Sequence, residues 1–453
     1  MKRCGSKTLS LTKTFCGTVA ALFMVVSTMS VMAAGGREQV AHPDAIRIPV
    51  LFRDGGGDAA TVMWREVIDR FHEEYAGVYQ LDIEWVPGMA EEIRHKLRTL
   101  NTARNLPAFV TQLGPEPAFA EALIRDGRLM DLKPYFDADP EWQRYVFEES
   151  VEFNTTEDGR MYTTPSTGSP YVGIFYNMEH FATAGIDEFP STWEEFWDAA
   201  DRLQAAGITP LSLHTTETGW CTNLMMTSYL AQSQQGRDFM AIRYPSDEFV
   251  SDVFINAVQM VRRMYDYTPE DAIGGTYALA ANHFTTGNTA MIPNGPWMIE
   301  SFSDPDYSPV GFDQIVGYAR YPGDVMISNL GREYGYGVSM DHDLEVREAA
   351  VDWIKFLATR DIIGLQAIGV GHFNHKIELT EEELSKLGPV HVRYANSVEG
   401  VRHTIPWFQG QWDPISQHET VVGMLPEFLY GQITAEQYAE AMRRSAREFL
   451  ASN

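Results

Sequence analysis

The chain has 453 residues, with 62 Asp and Glu against 35 Lys and Arg, so its formal net charge is −27. Hydrophobic residues make up 44% of it, an ordinary globular proportion that excludes collagen-like and disordered chains. The acidic balance, without a basic run beyond the first residues, argues against nucleic acid and anionic membrane surfaces as partners.

Residues 1–34 have the pattern of a secretory signal. Basic residues near the start precede an apolar stretch that is strongest at Val19–Val26, and the stretch ends in small residues. We expect cleavage after Ala33 or Ala34 and a periplasmic protein; an uncleaved membrane anchor is the alternative. Cys16 precedes most of the apolar stretch, which argues against a lipoprotein.

The mature chain begins with alternating strands and helices. Apolar residues at every second position from Ile46 to Phe52 predict the first strand. The following elements, in order, are a helix to about Tyr75, a strand at Leu81–Trp85, a helix at Ala90–Ala103, a strand at Pro107–Leu113 and a helix at Glu116–Arg125. This alternation predicts a parallel sheet covered by helices on both faces.

The middle of the chain predicts a crossing segment, residues 162–177, that ends in a buried strand. Ser191 and Glu194 have capping-box spacing at the start of a helix that carries Trp193 and Trp197 on its apolar face. A later helix presents Trp353 on its apolar face. The last helix is predicted to start near Thr434, with Gln437 at the capping-box position.

Motifs for catalysis or metal binding are missing from the sequence. It contains no HExxH, GxSxG, Walker A or GxGxxG pattern. Cys221 is the one thiol outside the predicted leader, so neither an internal disulfide nor a cysteine zinc site is expected. His372 and His375 lack a third ligand nearby. We therefore expect no catalytic residues, no metal and no cofactor, although paired acids leave a glycoside hydrolase open.

Five blocks, in order, resemble a known family. Residues Phe284–Trp297 read FTTGNTAMIPNGPW, which closely resembles the signature of extracellular solute-binding proteins of the maltose-binding type. The other blocks that resemble this family are Asp158–Pro165, Ile174–Leu211, Gly335–Thr359 and Gly431–Met442. Together they span essentially the whole mature chain.

The resemblance implies an α/β, two-lobed type II periplasmic-binding-protein fold with a hinge and an interlobe cleft. The first lobe would comprise residues 38–160 and 325–366, and the second 161–324 and 367–453. The implied function is capture of a mono- or oligosaccharide for the transmembrane subunits of an ABC importer, by a monomer without cofactor. A binder of glycerol phosphate or another polar solute, a secreted carbohydrate-active hydrolase, and a receptor-linked sensor are the alternatives.

Aromatic residues beside Gly, Pro and polar residues are the first candidates for ligand contacts, because sugars stack on aromatic rings. Trp297 stands where the family's tryptophan stacks on sugar. The family often has a second aromatic contact near this end of the chain, and the candidates for it are Trp407, Phe408 and Trp412. Trp220 is a further candidate.

Polar candidates bind hydroxyl groups. Asp54 and Gln112 follow predicted strands, where ligands meet open α/β sheets. Ser169 and Tyr171 lie in the crossing segment, which carries no acid between Pro165 and Asn177, unlike the maltose-binding protein. Asn294 and Arg332 complete the set, and Arg332 could also bind an anionic ligand.

Overall fold

The computed structural model describes residues 43–54, 59–88, 90–369 and 375–452. The predicted leader, residues 1–34, and residues 55–58, which read Gly-Gly-Gly-Asp and for which the sequence predicts a turn, lie outside the described residues. The strands are β1 (Ile46–Asp54), β2 (Tyr79–Pro87), β3 (Phe109–Val110), β4 (Gly173–Asn177), β5 (Thr209–Leu211), β6 (Thr289–Asn294), β7 (Val316–Ala319), β8 (Val325–Ile327), β9 (Gly337–Val338) and β10 (His403–Ile405).

Helices occupy most of the remaining chain. They are α1 (Ala59–Glu74), α2 (Ala90–Thr102), α3 (Pro117–Arg125), α4 (Lys133–Asp137), α5 (Pro140–Gln143), α6 (Glu148–Asn154), α7 (Met178–Thr183), α8 (Trp193–Ala205), α9 (Trp220–Leu230), α10 (Gln234–Ala241), α11 (Asp252–Tyr265), α12 (Tyr277–Thr285), α13 (Phe312–Ile315), α14 (Leu344–Leu357), α15 (Arg360–Gly369), α16 (Glu381–Ser385), α17 (Pro389–Val398), α18 (Phe408–Gln411), α19 (Val422–Leu429) and α20 (Ala435–Ser452). Short 3₁₀ segments lie at Glu217–Gly219, Asp247–Val250 and Pro296–Phe302, and a π-helical segment lies at Ser416–Val421.

The first lobe is built on a four-stranded sheet in the order β2-β1-β3-β9. β1 runs parallel to β2 and β3, whereas β9 runs antiparallel to β3. Alternate side chains of β1, among them Ile48, Val50 and Phe52, are buried, as the period-two pattern predicts. Because the parallel strands point the same way, their carboxyl ends meet at one edge of the sheet.

The second lobe is built on a four-stranded sheet in the order β5-β6-β4-β7, and β10 pairs with β8 beside it. β4 is antiparallel to both β6 and β7, and β5 is parallel to β6. All six residues of β6 are buried, which fits a strand covered on both faces. The segment before β4 crosses from the first lobe, and Val172 bridges to Ile327 at the start of the second.

Separate hydrophobic clusters support the two sheets. Trp353 of α14 packs edge-on against Phe71 and Phe109 in the first lobe. Trp193 and Trp197 of α8 pack with Phe196 in the second lobe. The predicted core roles of the three tryptophans are confirmed, whereas the exact lobe boundaries stay a proposal.

Two local predictions are corrected. The strand predicted at Pro107–Leu113 is limited to Phe109–Val110, because Pro107 has no N–H to donate and Gln112 has a left-handed φ of 61°. The capping box is shifted by one residue: Thr192 accepts from the Glu195 N–H, and Glu195 accepts from the Thr192 N–H. The box at Thr434 and Gln437 is confirmed.

Within the described residues, we find no helix that combines the length and the apolar run needed to cross a membrane.

Candidate ligand-binding site

Four aromatic side chains form a continuous surface on the second lobe. Trp297 and Trp407 have ring centroids 5.4 Å apart, Trp220 and Trp297 are 6.3 Å apart, and Trp220 and Tyr277 are 4.8 Å apart. Trp297 is 37% exposed, and the other three are partly buried. We call these four residues the aromatic wall. The wall offers ring faces of the kind that stack on apolar faces of a ligand.

The backbone brings the wall together from four distant segments. Trp297 follows the buried strand β6, and Tyr277 is the first residue of α12. Trp220 begins α9 after three residues in succession with left-handed φ: 54° at Glu217, 66° at Thr218 and 51° at Gly219. This segment is strained backbone for its non-glycine members, and such strain is concentrated at functional sites.

Polar contacts fix the wall from behind. Asn294 is fully buried at the end of β6, and its Nδ2 lies 3.2 Å from the Tyr277 hydroxyl. His214 lies edge-on to Trp220 at 5.7 Å. The His214 Nδ1 is 2.9 Å from the Thr216 carbonyl oxygen, and burial lowers the pKa of His214 to about 4. His214 is therefore a neutral support beneath the wall at physiological pH.

The edge of the first lobe faces the wall. Arg53 and Asp54 end β1, both are partly buried, and the Asp54 carboxylate lies 4.0 Å from Arg65. Burial raises the pKa of the Tyr277 hydroxyl, and the Arg53 charge acts in the opposite direction. The two lobes therefore bring a guanidinium and a phenol into electrostatic reach of each other.

The segment at 328–336 joins β8, beside the second sheet, to β9 of the first sheet. Ser169, in the crossing segment, is buried, and its hydroxyl lies 3.0 Å from that of Ser328. Asn329 Oδ1 accepts a hydrogen bond from the Trp407 N–H at 2.9 Å. Next along the segment, Arg332 is exposed, and Glu333 is partly buried with a pKa that burial raises to about 7.

Tyr171 takes part in the crossing mainly through its peptide groups. Its N–H donates to the Tyr394 hydroxyl at 2.9 Å. Its carbonyl oxygen accepts from the hydroxyls of Tyr318 and Tyr394, at 3.1 and 3.2 Å. These contacts hold the crossing strand in the second lobe, and they give Tyr171 a structural role whatever its ring contacts.

Trp412 and Phe408 are placed in the core of the second lobe. Trp412 is 1% exposed and packs against Phe249 and Phe254, while Phe408 is fully buried. At the start of the π-helical segment, the Asp413 carboxylate accepts a hydrogen bond from the Ser416 N–H at 2.8 Å. Of the three competing aromatics, only Trp407 contributes to the wall.

Sequence reasoning missed three residues that the structure connects to the aromatic wall. Tyr277 is part of it, the Arg53 charge acts on Tyr277, and Glu333 interacts with Asn329, which binds Trp407. Tyr277 stands one helix before the tryptophan motif, and no local pattern distinguishes it from a core tyrosine. Glu333 lies beside Arg332 in the same glycine-rich stretch, so the signal that selected Arg332 applied equally to Glu333. Arg53 precedes Asp54 at the end of the first predicted strand.

The residues that the sequence analysis considered for catalysis or metal binding are Cys221, His372 and His375. Burial raises the pKa of the Cys221 thiol well above its usual value, which makes it a poor nucleophile. His375 Nδ1 lies 2.9 Å from the Thr167 carbonyl oxygen, and His372 lies outside the described residues. In the part of the chain that the structure describes, no group of three His, Cys, Asp or Glu side chains is placed to hold a metal ion.

Residues 60–362, about two thirds of the chain, match the family described as bacterial extracellular solute-binding protein. The chain belongs to this family. A stretch of 162 residues is 32% identical to the sn-glycerol-3-phosphate-binding periplasmic protein UgpB of Brucella abortus (strain 2308) and of Brucella suis biovar 1 (strain 1330). The match covers 33% of this chain, and the chain spans only 36% of the length of these curated relatives.

Solved structures of solute-binding proteins share the fold over nearly their whole length. A chitin oligosaccharide binding protein has a TM-score of 0.72 and 22% identity, covering 89% of this chain and 99% of its own. Maltose-bound MalE3 of T. maritima has a TM-score of 0.68 and 19% identity, covering 89% and 100%. At these identities the likeness shows the two-lobed fold and nothing finer.

Proposed function

We propose that this solute-binding protein captures a carbohydrate between its two lobes and delivers it to the transmembrane subunits of an ABC importer. The observation that carries the proposal is the aromatic wall, whose Tyr277 is within electrostatic reach of Arg53 at the end of β1. In this proposal Trp297 and Trp407 supply ring faces. Asp54 ends β1 and Gln112 follows β3, and we propose that both supply hydrogen-bonding groups from the first lobe.

The physical chemistry of sugars suits this arrangement. A pyranose has apolar C–H faces that stack on aromatic rings and a periphery of hydroxyls that needs directed hydrogen bonds. A ligand that touches both lobes stabilises the arrangement in which both sets of contacts are made. The protein then acts by capture, and its lobes present a joint surface to the permease.

The structural neighbours support a hydroxylated ligand. The two neighbours above are a chitin oligosaccharide binding protein and a maltose-bound protein. A third, from Agrobacterium radiobacter K84, is in complex with ribitol and has a TM-score of 0.67 and 17% identity. These ligands differ in size and in ring content but share neighbouring hydroxyl groups. We extend that shared chemistry to this chain as part of the proposal.

A second candidate ligand is a glycerol phosphate. It is favoured by the stretch similar to UgpB and by Arg53 at the cleft, since a phosphate group seeks guanidinium partners. In the described residues, Arg53 is the cation whose charge reaches Tyr277. A phosphate dianion is bound best by several cationic groups, so we place this ligand second.

Export and partner choice belong to the same proposal. The leader at residues 1–34, cleaved after Ala33 or Ala34, would deliver a monomeric protein to the periplasm, where it would meet a permease. We propose a binding protein without catalytic activity, because the side chains that we propose for the cleft are aromatic rings that stack and polar groups that form hydrogen bonds.

A thermal-shift screen of the mature protein tests the proposal. The panel comprises maltotriose, chitobiose, xylotriose, ribitol and sn-glycerol 3-phosphate. A ligand at a hundred times its dissociation constant adds about 2.7 kcal/mol to stability, which raises the melting temperature measurably. A shift with a saccharide supports the proposal, and a shift with glycerol phosphate alone favours the second candidate. If no compound of the panel raises the melting temperature and the protein releases reducing sugar from a polysaccharide, its function would be hydrolysis and not capture.

A further inference from the structure

Glu333 lies at the edge of the first-lobe sheet where the parallel strands end. β9 is antiparallel to β3, with Gly337 opposite Val110, so the residues before Gly337 extend past the carboxyl end of β3. A Cβ placed on Gly114, in the loop after β3, would lie only 3.4 Å from Glu333 Oε2. The Glu333 carboxylate therefore lies against the Gly114 backbone, at the same edge as Asp54.

A short hydrogen-bonded path joins this carboxylate to the aromatic wall. The Asn329 side chain hydrogen-bonds to Glu333, and Asn329 Oδ1 accepts from the Trp407 N–H at 2.9 Å. Since Oδ1 is engaged by Trp407, the Asn329 amide N–H is the group left to donate to Glu333. Asn154 Nδ2 donates to the Glu333 carbonyl oxygen at 3.1 Å and fixes the backbone from α6.

The carboxylate has no cationic partner in the described residues. Burial is the main influence on its pKa and raises it to about 7, and the Asn329 hydrogen bond acts in the opposite direction. The facing titratable group is Tyr336, whose pKa is raised by burial and by the Glu333 charge. On the same segment, Arg332 is exposed, and Tyr334 faces the pair formed by Glu121 and Arg243.

We infer that Glu333 is a ligand-binding acid of the cleft and that it selects a hydroxyl-rich ligand without a phosphate group. This inference rests on the proposed function and decides between its two ligand classes. A carboxylate that lacks a cation can accept hydrogen bonds from sugar hydroxyls, and these charge-assisted bonds are stronger than neutral ones. A phosphate group in the same place meets like charge in a poorly solvated setting.

Binding of such a ligand is linked to a proton. Hydroxyl donors favour the ionised carboxylate, so ligand binding lowers the pKa of Glu333 and releases a proton near pH 7. Affinity for the saccharide should then rise from pH 5.5 to pH 8, by about tenfold for each unit by which the ligand lowers that pKa.

Isothermal titration calorimetry measures this linkage. The probes are maltotriose, chitobiose, xylotriose and sn-glycerol 3-phosphate, titrated at pH 5.5, 7 and 8 into the wild type, Glu333→Gln and Glu345→Gln. Glu345 is an exposed acid of α14 and serves as the matched control. Buffers of different ionisation enthalpy at pH 7 report the protons released on binding.

The wild type should release protons with a saccharide and bind it more tightly at pH 8. Glu333→Gln should release none and show a flat pH profile, while Glu345→Gln should match the wild type. sn-Glycerol 3-phosphate should bind the wild type more weakly than the saccharide does and should gain about tenfold in Glu333→Gln, as for removal of roughly one pKa unit of repulsion.

Two results separate this inference from the proposed function. If a saccharide binds the wild type without proton release, the role of Glu333 is overturned while capture of a carbohydrate stands. If no saccharide binds the wild type, or if glycerol phosphate binds it more tightly than any saccharide, both the role of Glu333 and the capture of a carbohydrate are wrong. The proton count on the wild type decides the matter even if Glu333→Gln does not fold.

Discussion

Trp297 combines two properties that a core tryptophan lacks: it is 37% exposed, and its ring contacts two further tryptophans. The chain immediately before it is packed too closely for a side chain, since a Cβ on Gly295 would lie 2.2 Å from the Trp297 ring. Gly295 therefore allows the ring to fold back over its own strand. The orientation of the ring depends on this close approach.

Truncation of Trp297 tests its role directly. Trp297→Ala should weaken saccharide binding about 30-fold, because an aromatic contact at the centre of a site is typically worth about 2 kcal/mol. Titration calorimetry measures the change. Tyr430→Ala removes an aromatic ring that is 63% exposed on the second lobe, and it should leave the affinity unchanged. Equal affinities of the wild type and Trp297→Ala would remove this residue from the site.

His214 gives the protein a defined sensitivity to acid. Its pKa is about 4 in the folded state, against 6.5 for an unperturbed histidine, because burial disfavours the charged ring. The unfolded state therefore binds more protons between pH 6.5 and pH 4, so stability falls as the pH falls through this window. A shift of this size corresponds to about 3 kcal/mol.

Urea unfolding of the wild type and His214→Gln at pH 7 and pH 4 checks this value. His214→Gln should be less stable than the wild type at pH 7, because it loses the ring that packs on Trp220. The difference between their free energies of unfolding should be about 3 kcal/mol smaller at pH 4 than at pH 7. His95→Gln changes an exposed histidine of α2 and serves as the control. A difference that stays constant with pH would contradict the assignment of this sensitivity to His214.

At the scale of elements, the left-handed segment Glu217–Gly219 sets the spacing of two wall residues. Glu217 Oε2 accepts a hydrogen bond from the Tyr277 N–H at 3.2 Å, at the first turn of α12. The same segment leads directly into α9 and Trp220. Glu217 thus couples the amino ends of the two helices that carry Trp220 and Tyr277.

This coupling predicts different effects for two substitutions of Glu217. Glu217→Ala should weaken saccharide binding about fivefold, because loss of an acceptor at a helix start costs about 1 kcal/mol. Glu217→Gln keeps an acceptor oxygen and should bind within about twofold of the wild type. Near-ultraviolet circular dichroism of the tryptophans should change in the alanine variant alone. If both variants weaken binding equally, the charge of Glu217 matters rather than its hydrogen bond.

At the scale of the whole molecule, the lobes touch through side chains as well as through the crossing segments. Glu121 of α3 accepts from Arg243 and, at 3.0 Å, from the Tyr244 hydroxyl of the second lobe. Tyr334 adds a third hydrogen bond to Glu121 at 3.3 Å. Such partly exposed polar contacts are worth little individually, so the relative position of the lobes remains open to control by a ligand.

Small-angle X-ray scattering tests whether a ligand controls the relative position of the two lobes. A saturating saccharide should lower the radius of gyration, because a ligand that touches both lobes favours the compact arrangement. In Trp297→Ala the midpoint of the change should move to higher ligand concentration while its amplitude is kept. An unchanged radius at saturation, with binding confirmed by calorimetry, would mean that the ligand is held by one lobe alone.

Much of the fold could be predicted because it depends on local patterns. The apolar positions at every second residue of β1 and the apolar face of α14 indicate burial directly. Both predictions are confirmed, although Leu51, between two of the β1 positions, is buried as well. The capping box was displaced by a single residue because Ser191 and Thr192 are both suitable caps. The third predicted strand was too long because the left-handed turn at Gln112 leaves no mark in an alternation of side chains.

The candidate site was less predictable. Trp407 and Trp412 stand five residues apart in similar surroundings of glycine, proline and polar residues, yet Trp412 is 1% exposed and Trp407 reaches the wall. The difference depends on Phe249 and Phe254, which lie more than a hundred residues earlier and close over Trp412. No local pattern in the sequence contains that information.

The amino-acid sequence by itself determined the order of strands and helices, the core roles of Trp193, Trp197 and Trp353, and membership of a binding-protein family. These properties follow from spacing and motif, which act over a few residues. Only the tertiary structure decided that Arg53 comes within electrostatic reach of Tyr277, and that Asn329 connects Glu333 to Trp407. Their approach is set by strand register and chain crossings between distant segments, and contacts of that kind depend on how the whole chain packs.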